Sequence, residues 1–443
     1  MLPYMLEERM HQPPQQTQRL TSLSLALHGI VSAFGGPLLG HWADQAPNRQ
    51  IPFLISLIVC IIGTVMVACA TDLGVFFVGR VLQGVSGSGT WIVGLATVAD
   101  SVAPERIGVT TGVVMAFVNA GMIVGPMVSG LTLELAGYWF TWSVPVVFLV
   151  LDVVARLLMV EKKELATKSE TDVASSEVEP LLQSPGSNDD AEVAVDENGD
   201  VVREGDGTAP SANFWRMMLG NSRVVTSLLI SVWGPTLNTS FNATLPLHVL
   251  DVFGWSPSRV GLMFLLLSLP SLPISPWAGH LRDRIGTRLP ATIALASQAV
   301  FLVLLGFAGN QQFEWSSTGE RGKALYILCC VTFGIIRPFI SGIGPVELTF
   351  AVKAEEAKRP GVFGPQGGLS RVFSLLEVAA TSGMTLGPVI SGALTERFGY
   401  YIMCWTLSVL AIVMAILARL FLGSKKTELG NNRASGQEVG TGI

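Results

Sequence analysis

Apolar runs of about 20 residues, the length that crosses a hydrocarbon core of about 30 Å as α-helix, recur eleven times in this chain. They lie at 20–43, 51–70, 74–99, 107–133 and 138–160, then at 222–246, 258–280, 289–309, 324–351, 369–393 and 400–422. A bilayer interior offers the backbone no hydrogen-bonding partner, so such runs must be helices. Composition agrees. Only 14% of the residues are charged, where a water-soluble chain carries about 25%. The fold class expected is all-α, polytopic and membrane-embedded. The five cysteines, Cys60, Cys69, Cys329, Cys330 and Cys404, all sit in apolar runs without ligand spacing, so neither a disulfide framework nor a metal site is expected. The net charge of −5 comes mostly from one loop and gives no basis for nucleic-acid binding.

One stretch is written twice. Gly121-Met-Ile-Val-Gly125-Pro126-Met-Val-Ser-Gly130, running on to Gly137-Tyr138, returns as Gly383-Met-Thr-Leu-Gly387-Pro388-Val-Ile-Ser-Gly392, running on to Gly399-Tyr400. Nine of the eighteen positions in 121–138 match at a fixed offset of 262, mostly as glycine and proline. Small residues four apart let two helix backbones approach in lipid, and the proline bends its helix for want of an N–H. A second echo, Gly40-His41-Trp-Ala-Asp44 and Gly279-His280-Leu-Arg-Asp283, has an offset of 239. Two related helical bundles joined in one chain follow, an arrangement common in secondary transporters.

Eleven is an odd count for a doubled bundle. By the second offset, the helix at 222–246 should have a partner ending near residue 7, and Leu2-Pro3-Tyr4 resembles Leu245-Pro246-Leu247. Either the chain is a true eleven-span protein, or a late start codon or truncation has removed the first helix; the second reading is the expectation. The divisions are then 1–160 for the N-terminal bundle, 161–213 for an acidic disordered linker, 214–424 for the C-terminal bundle and 425–443 for a tail. Basic residues such as Arg49, Arg106, Lys162, Lys163, Arg284, Arg288, Lys358, Arg359, Lys425 and Lys426 place the linker and tail in the cytosol. Glu177-Val-Glu-Pro-Leu181-Leu182 has the form of an acidic dileucine sorting signal, a short pattern that also arises by chance. The membrane expected is plasma or vacuolar and endosomal.

Three signatures resemble those of the major facilitator superfamily, in its drug:proton antiporter group near the vesicular amine transporters. Gly40-His-Trp-Ala-Asp44-Gln-Ala-Pro-Asn-Arg49 is similar to the family's Gly-xxx-Asp-Arg-x-Gly-Arg loop, with Gln45 in place of the first arginine. Arg80-Val-Leu-Gln83-Gly84 resembles Arg-xx-Gln-Gly, and Gly121, Gly125, Pro126 and Gly130 fit the antiporter helix, as do Gly383, Gly387, Pro388 and Gly392. The resemblance implies two six-helix bundles that rock about a central site. It also implies a latch at the cytosolic side: Gly40, Asp44, Arg49, Asp100 and Arg106 against the start of the helix at 369, and Gly279, Asp283, Arg284 and Arg288 against Gly108. A helix start presents free N–H groups that welcome a carboxylate, though interfacial charges of no special role would read the same way.

Ionisable groups within the hydrocarbon are functional candidates because each costs at least about 2.5 kcal/mol to place there. These are His28, Arg80, Arg337, Glu347 and Glu377, to which Asn119, Asn238 and Asn242 add hydrogen-bonding capacity. By resemblance to the amine transporters, Glu377-Val-Ala and His28 would face each other across the bundles and bind a proton or a cationic amine, not both. Arg337 stands where those transporters carry an acid. His28 reads equally as a packed core histidine, and Glu347 as an interfacial charge. The expected function is exchange of a small cationic or amphipathic organic molecule for protons by one copy of the chain, with the proton gradient as energy source and no cofactor. A different class of reading is a non-transporting membrane fragment or interaction protein. No phosphate loop, nucleophile elbow or zinc spacing suggests an enzyme.

Overall fold

The structure, a computed structural model, describes residues 5–46, 48–158, 211–255, 257–309, 319–359, 361–364 and 367–423. Among these there is no strand. A π-helical turn, Met5–Arg9, leads into α1 (Pro14–Gln45), α2 (Gln50–Cys69) and α3 (Leu73–Ser101). A long helical stretch, Ile107–Leu158, is divided by Gly137 at φ 79 into α4 (107–136) and α5 (138–158). The second half begins with a short α6 (Ser211–Leu219) and continues through α7 (Ser222–Phe253), α8 (Pro257–Ser268), α9 (Ser271–Ile285) and α10 (Arg288–Phe307). It closes with α11 (Glu320–Ser341), α12 (Ile343–Lys358), α13 (Leu369–Phe398) and α14 (Tyr400–Phe421). The dileucine pattern, most of the expected linker and the expected tail lie outside the described residues.

The turns between helices follow from residue type. Gly137 (φ 79, ψ −177) and Gly399 (φ 87, ψ 163) occupy the same position in the two copies of the repeat. Both lie in a region of backbone space that only glycine enters without strain. Asp72 caps α3 by accepting from Gly74 N and Val75 N at 2.8 and 3.1 Å, and α7 stops at Gly254 in the left-handed conformation.

Three expected spans are not as read. The run from 20 begins at Pro14, where a proline opens the helix without losing a needed N–H. The runs 258–280 and 324–351 each fall in a single span-length stretch but are bent into two helices. In the second, Pro338 and Gly342 break the ladder, and the freed Pro338 carbonyl accepts from Arg282 Nη1 at 2.8 Å. A Cβ on Gly342 would overlap that guanidinium. The expected linker end at 213 is also displaced, because α6 already starts at Ser211.

Within the second half, α7 packs along α13 and α10 along α14; within the first, α2 packs along α3. Between halves, α1 lies on α13 and α9 on α4. Among the described residues eight stretches are long and apolar enough to cross a membrane by length and composition, and neither α1 nor α7 is among them. Both line the central cavity, where polar side chains lower their hydropathy without meeting lipid.

Candidate functional site

Glycines bring the halves into backbone contact at one end of the molecule. A Cβ on Gly40 would stand 2.6 Å from the Ser370 carbonyl, and one on Gly279 would overlap the Gly108 carbonyl. One turn further along each helix a carboxylate meets the start of the facing helix. Asp44, wholly buried, accepts from Ser370 N at 3.0 Å, Arg371 N at 2.9 Å and Arg371 Nε at 3.3 Å. Asp283 accepts from Gly108 N at 2.6 Å and Val109 N at 2.7 Å. Charge-assisted bonds of this kind are worth about 1.5–3 kcal/mol each, and the helix dipole adds to them.

Arg49 extends the first cluster, 2.5 Å from Asp100 and 3.8 Å from Asp44. Lys353 Nζ donates to the Ala99 carbonyl at 2.8 Å, a further tie between halves that the sequence did not mark. Arg371 was likewise missed; its guanidinium lies 4.9 Å from the Phe214 ring of α6, which stacks edge-on with Phe363. Arg106 and Arg284 are exposed and make no hydrogen bond or ion pair to the facing half among the described residues. Arg288 Nε donates to the Arg419 carbonyl within its own half at 2.5 Å. These three arginines are on the same end but outside the closure.

Between the halves lies a cavity of about 460 Å³, within the range of about 300–1,000 Å³ typical of small-molecule sites. His28, Asn119, Asn238, Arg337 and Glu377 all line it. Apolar walls come from Trp91, Met115, Phe241 and Phe333, with Gln298 on the second half. Gln298 Oε1 is taken by Trp233 Nε1 at 2.7 Å, which leaves its amide N–H groups for other partners. Glu377 is held across the interface by Ser32, whose Oγ is 2.8 Å from Oε1 and 2.5 Å from Ser88 Oγ. Ser88 Oγ lies 2.9 Å from the Gly84 carbonyl. Glu377 and His28 share the cavity but are not bonded to each other; Ser32 takes the carboxyl, and His28 Nδ1 is buried without a partner. A serine in an apolar helix carries little sequence signal, which is why this link was missed.

Three candidates fall outside the cavity. Glu347, fully buried, is bonded to Arg223 Nε and Thr287 Oγ1 at the starts of α7 and α10, because the break at Gly342 gives α12 its own direction. Arg80 turns into its own bundle, donating to Ser24 Oγ at 2.8 Å and to Gln83 Oε1 at 2.9 Å, and Gln83 reaches Thr64 at 3.1 Å. Asn242 is exposed. A second hollow of about 540 Å³, between α10 and α14, is walled by aliphatic side chains and lies on their outer face.

The repeated glycines part company. Cβ atoms on Gly383 and Gly387 would overlap the Val232 and Thr236 carbonyls of α7, whereas those on Gly121, Gly125, Gly130 and Gly392 would meet nothing within 4 Å. The close helix approach expected of both copies is thus made by the second alone, since no described helix covers that face of α4. Pro388 is exposed within α13, and Pro126 interrupts the N–H ladder of α4 in the same register.

A chamber of mixed polarity inside two helical bundles, reached by ionisable groups and shut at one end by backbone contacts, is the architecture of a membrane carrier. A family model described as Major Facilitator Superfamily matches residues 1–358, and the chain belongs to that family. The MFS-type transporter ppzB of Metarhizium majus is 28% identical over 96% of this chain and 95% of its own. The vesicular acetylcholine transporter of Mus musculus is 36% identical over 25% of this chain and 21% of its own. Among solved structures, the proton:xylose symporter XylE superposes at a TM-score of 0.67, with 13% identity over 95% of this chain and 91% of that one. The protein is a multi-pass membrane transporter of small molecules and not an enzyme.

Proposed function

We propose that the chain exchanges a small amphipathic organic molecule for protons by alternating access, with Glu377 as the proton carrier. A count of hydrogens carries the reading. Three oxygen contacts link Glu377, Ser32, Ser88 and the Gly84 carbonyl, at 2.8, 2.5 and 2.9 Å. The two hydroxyls own one hydrogen each, one fewer than the contacts require. A proton on Glu377 completes the relay, with the acid donating to Ser32, Ser32 to Ser88 and Ser88 to Gly84. Its loss turns the Ser32 hydrogen toward the carboxylate and leaves the Ser32–Ser88 contact without one, so protonation and the seating of Ser32 against the facing half are linked.

The closure at Asp44 and Asp283 supports a state sealed at one end, and the distribution of basic residues supports reading that end as the cytosolic one. Switching would require those main-chain bonds to part as others form opposite. Purified protein in vesicles loaded with a pH-sensitive dye tests the proposal. Addition of amphipathic solutes should release protons from the wild-type interior and not from Glu377→Gln, while both proteins insert and bind equally well to an affinity resin. Unchanged proton release by Glu377→Gln would remove it from the mechanism.

A further inference from the structure

The cavity holds two ionisable groups of unlike sign, Arg337 and Glu377, that do not pair with each other. Arg337 lines it, yet its guanidinium donates no hydrogen bond and lies within 4 Å of no carboxylate among the described residues. Glu377 lines the same space and is answered by a hydroxyl, not by a cation. Elsewhere the buried charges described are answered, Glu347 by Arg223, Asp44 by Arg371 and Arg49 by Asp100 as ion pairs, and Arg282 and Arg80 by the neutral oxygens of Pro338, Ser24 and Gln83. A buried charge without a partner is strongly unfavourable, and the penalty is relieved by an opposite charge brought close. The remaining ionisable group at the cavity, His28, adds no negative charge in either protonation state.

From this we infer that the substrate is an amphipathic zwitterion, with an acid group taken by Arg337, an ammonium group toward Glu377 and an apolar body among Trp91, Phe241 and Phe333. A pure cation meets Arg337 unfavourably, and a pure anion meets Glu377 in the same way; a molecule carrying both signs satisfies the two at once. Asn119 and Asn238 supply amides that can serve either end. The ammonium group also competes with the proton for Glu377, which gives exchange a structural cause. The inference rests on the exchange reading for that last point alone, because binding itself needs no gradient.

Matched arylalkyl compounds in equilibrium titrations of the purified full chain in nanodiscs provide the test. The zwitterions are 4-amino-3-phenylbutanoate and 2-amino-4-phenylbutanoate. Their single-charge counterparts are 3-phenylbutanoate and 2-phenylpropylamine for the first, and 4-phenylbutanoate and 3-phenylpropylamine for the second. At least one zwitterion should bind tenfold or more tightly than both of its counterparts. Arg337→Met should bring that zwitterion down to the affinity of the amine, Arg337→Lys should recover part of the loss, and Glu377→Gln should bring it down to the affinity of the acid. The wild-type comparison stands even if a variant does not fold. Binding of an amine or acid as tightly as its zwitterion, or no binding by any of the six, overturns the inference. Failure of proton exchange with zwitterion binding intact would instead overturn the proposed function and leave this one standing.

Discussion

Alanine at the two copies of one glycine should have opposite consequences. At Gly387 a methyl group would press into Thr239 Oγ1 and the Thr236 carbonyl, and at Gly383 into the Val232 carbonyl, whereas at Gly125 and Gly121 it would enter open space. A carbon ordinarily keeps about 3.3–3.6 Å from a carbonyl oxygen, so α7 and α13 would have to part by about 1 Å. Overpacking of this kind costs about 1–3 kcal/mol. Replacing a helical glycine by alanine also returns about 0.5–1 kcal/mol, but this gain is common to both copies and cancels in the difference. The gap between Gly387→Ala and Gly125→Ala is therefore the clash alone, about 1–3 kcal/mol. At about 2–4 °C per kcal/mol for a unit the size of one bundle, the two variants should melt several degrees apart. Cys329, Cys330 and Cys404 are buried in the second half, so a thiol-reactive dye reports its melting once Cys60 and Cys69 are changed to serine. Equal melting of Gly387→Ala and Gly125→Ala would refute the assignment of the close approach to one copy.

The two buried glutamates should separate in the same assay: Glu347→Gln leaves Arg223 without its charge partner and should destabilise by about 3–5 kcal/mol, while Glu377→Gln melts near wild type and loses proton exchange. Asp44→Asn and Asp283→Asn each weaken two or more main-chain bonds across the closure worth about 1.5–3 kcal/mol apiece. In a Gly87→Cys background, whose new side chain enters the cavity without a clash, maleimide added from that end should react about ten times faster in either variant, as a loss of about 1.4 kcal/mol already implies. Phe214→Ala removes the ring that covers Arg371 and should cost about 3–5 kcal/mol; trypsin should then cut after the exposed Arg216 sooner than in wild type.

Some of this arrangement could be read from the letters and some could not, for physical reasons. The places where Asp44 and Asp283 meet helix starts were legible because carboxylate and glycine recur together at one offset, and helix starts attract anions whatever the tertiary detail. The helices themselves were legible because a bilayer leaves the backbone no alternative. What could not be read depends on helix rotation. Ser32 is one of many small polar residues on α1, and only the side it faces makes it a partner of Glu377. Glu347 and Arg337 lie ten residues apart in a single apolar run, yet the break at Gly342 sends them to different places. The glycine copies are alike in sequence and differ only in whether another helix lies against them. Phe214 sits at the edge of the acidic segment, in an apolar patch with Trp215, Met217 and Met218 that is too short to mark a span.

Gly40 and Gly279 come closest to main-chain carbonyls of the facing half, and the carboxylates of Asp44 and Asp283 bond main-chain N–H groups there, so the sealed end leans on backbone atoms that every amino acid shares. The chamber is built from atoms that differ at every position. A designer can therefore recut the chamber for new cargo, residue by residue, while the sealed end keeps its original machining.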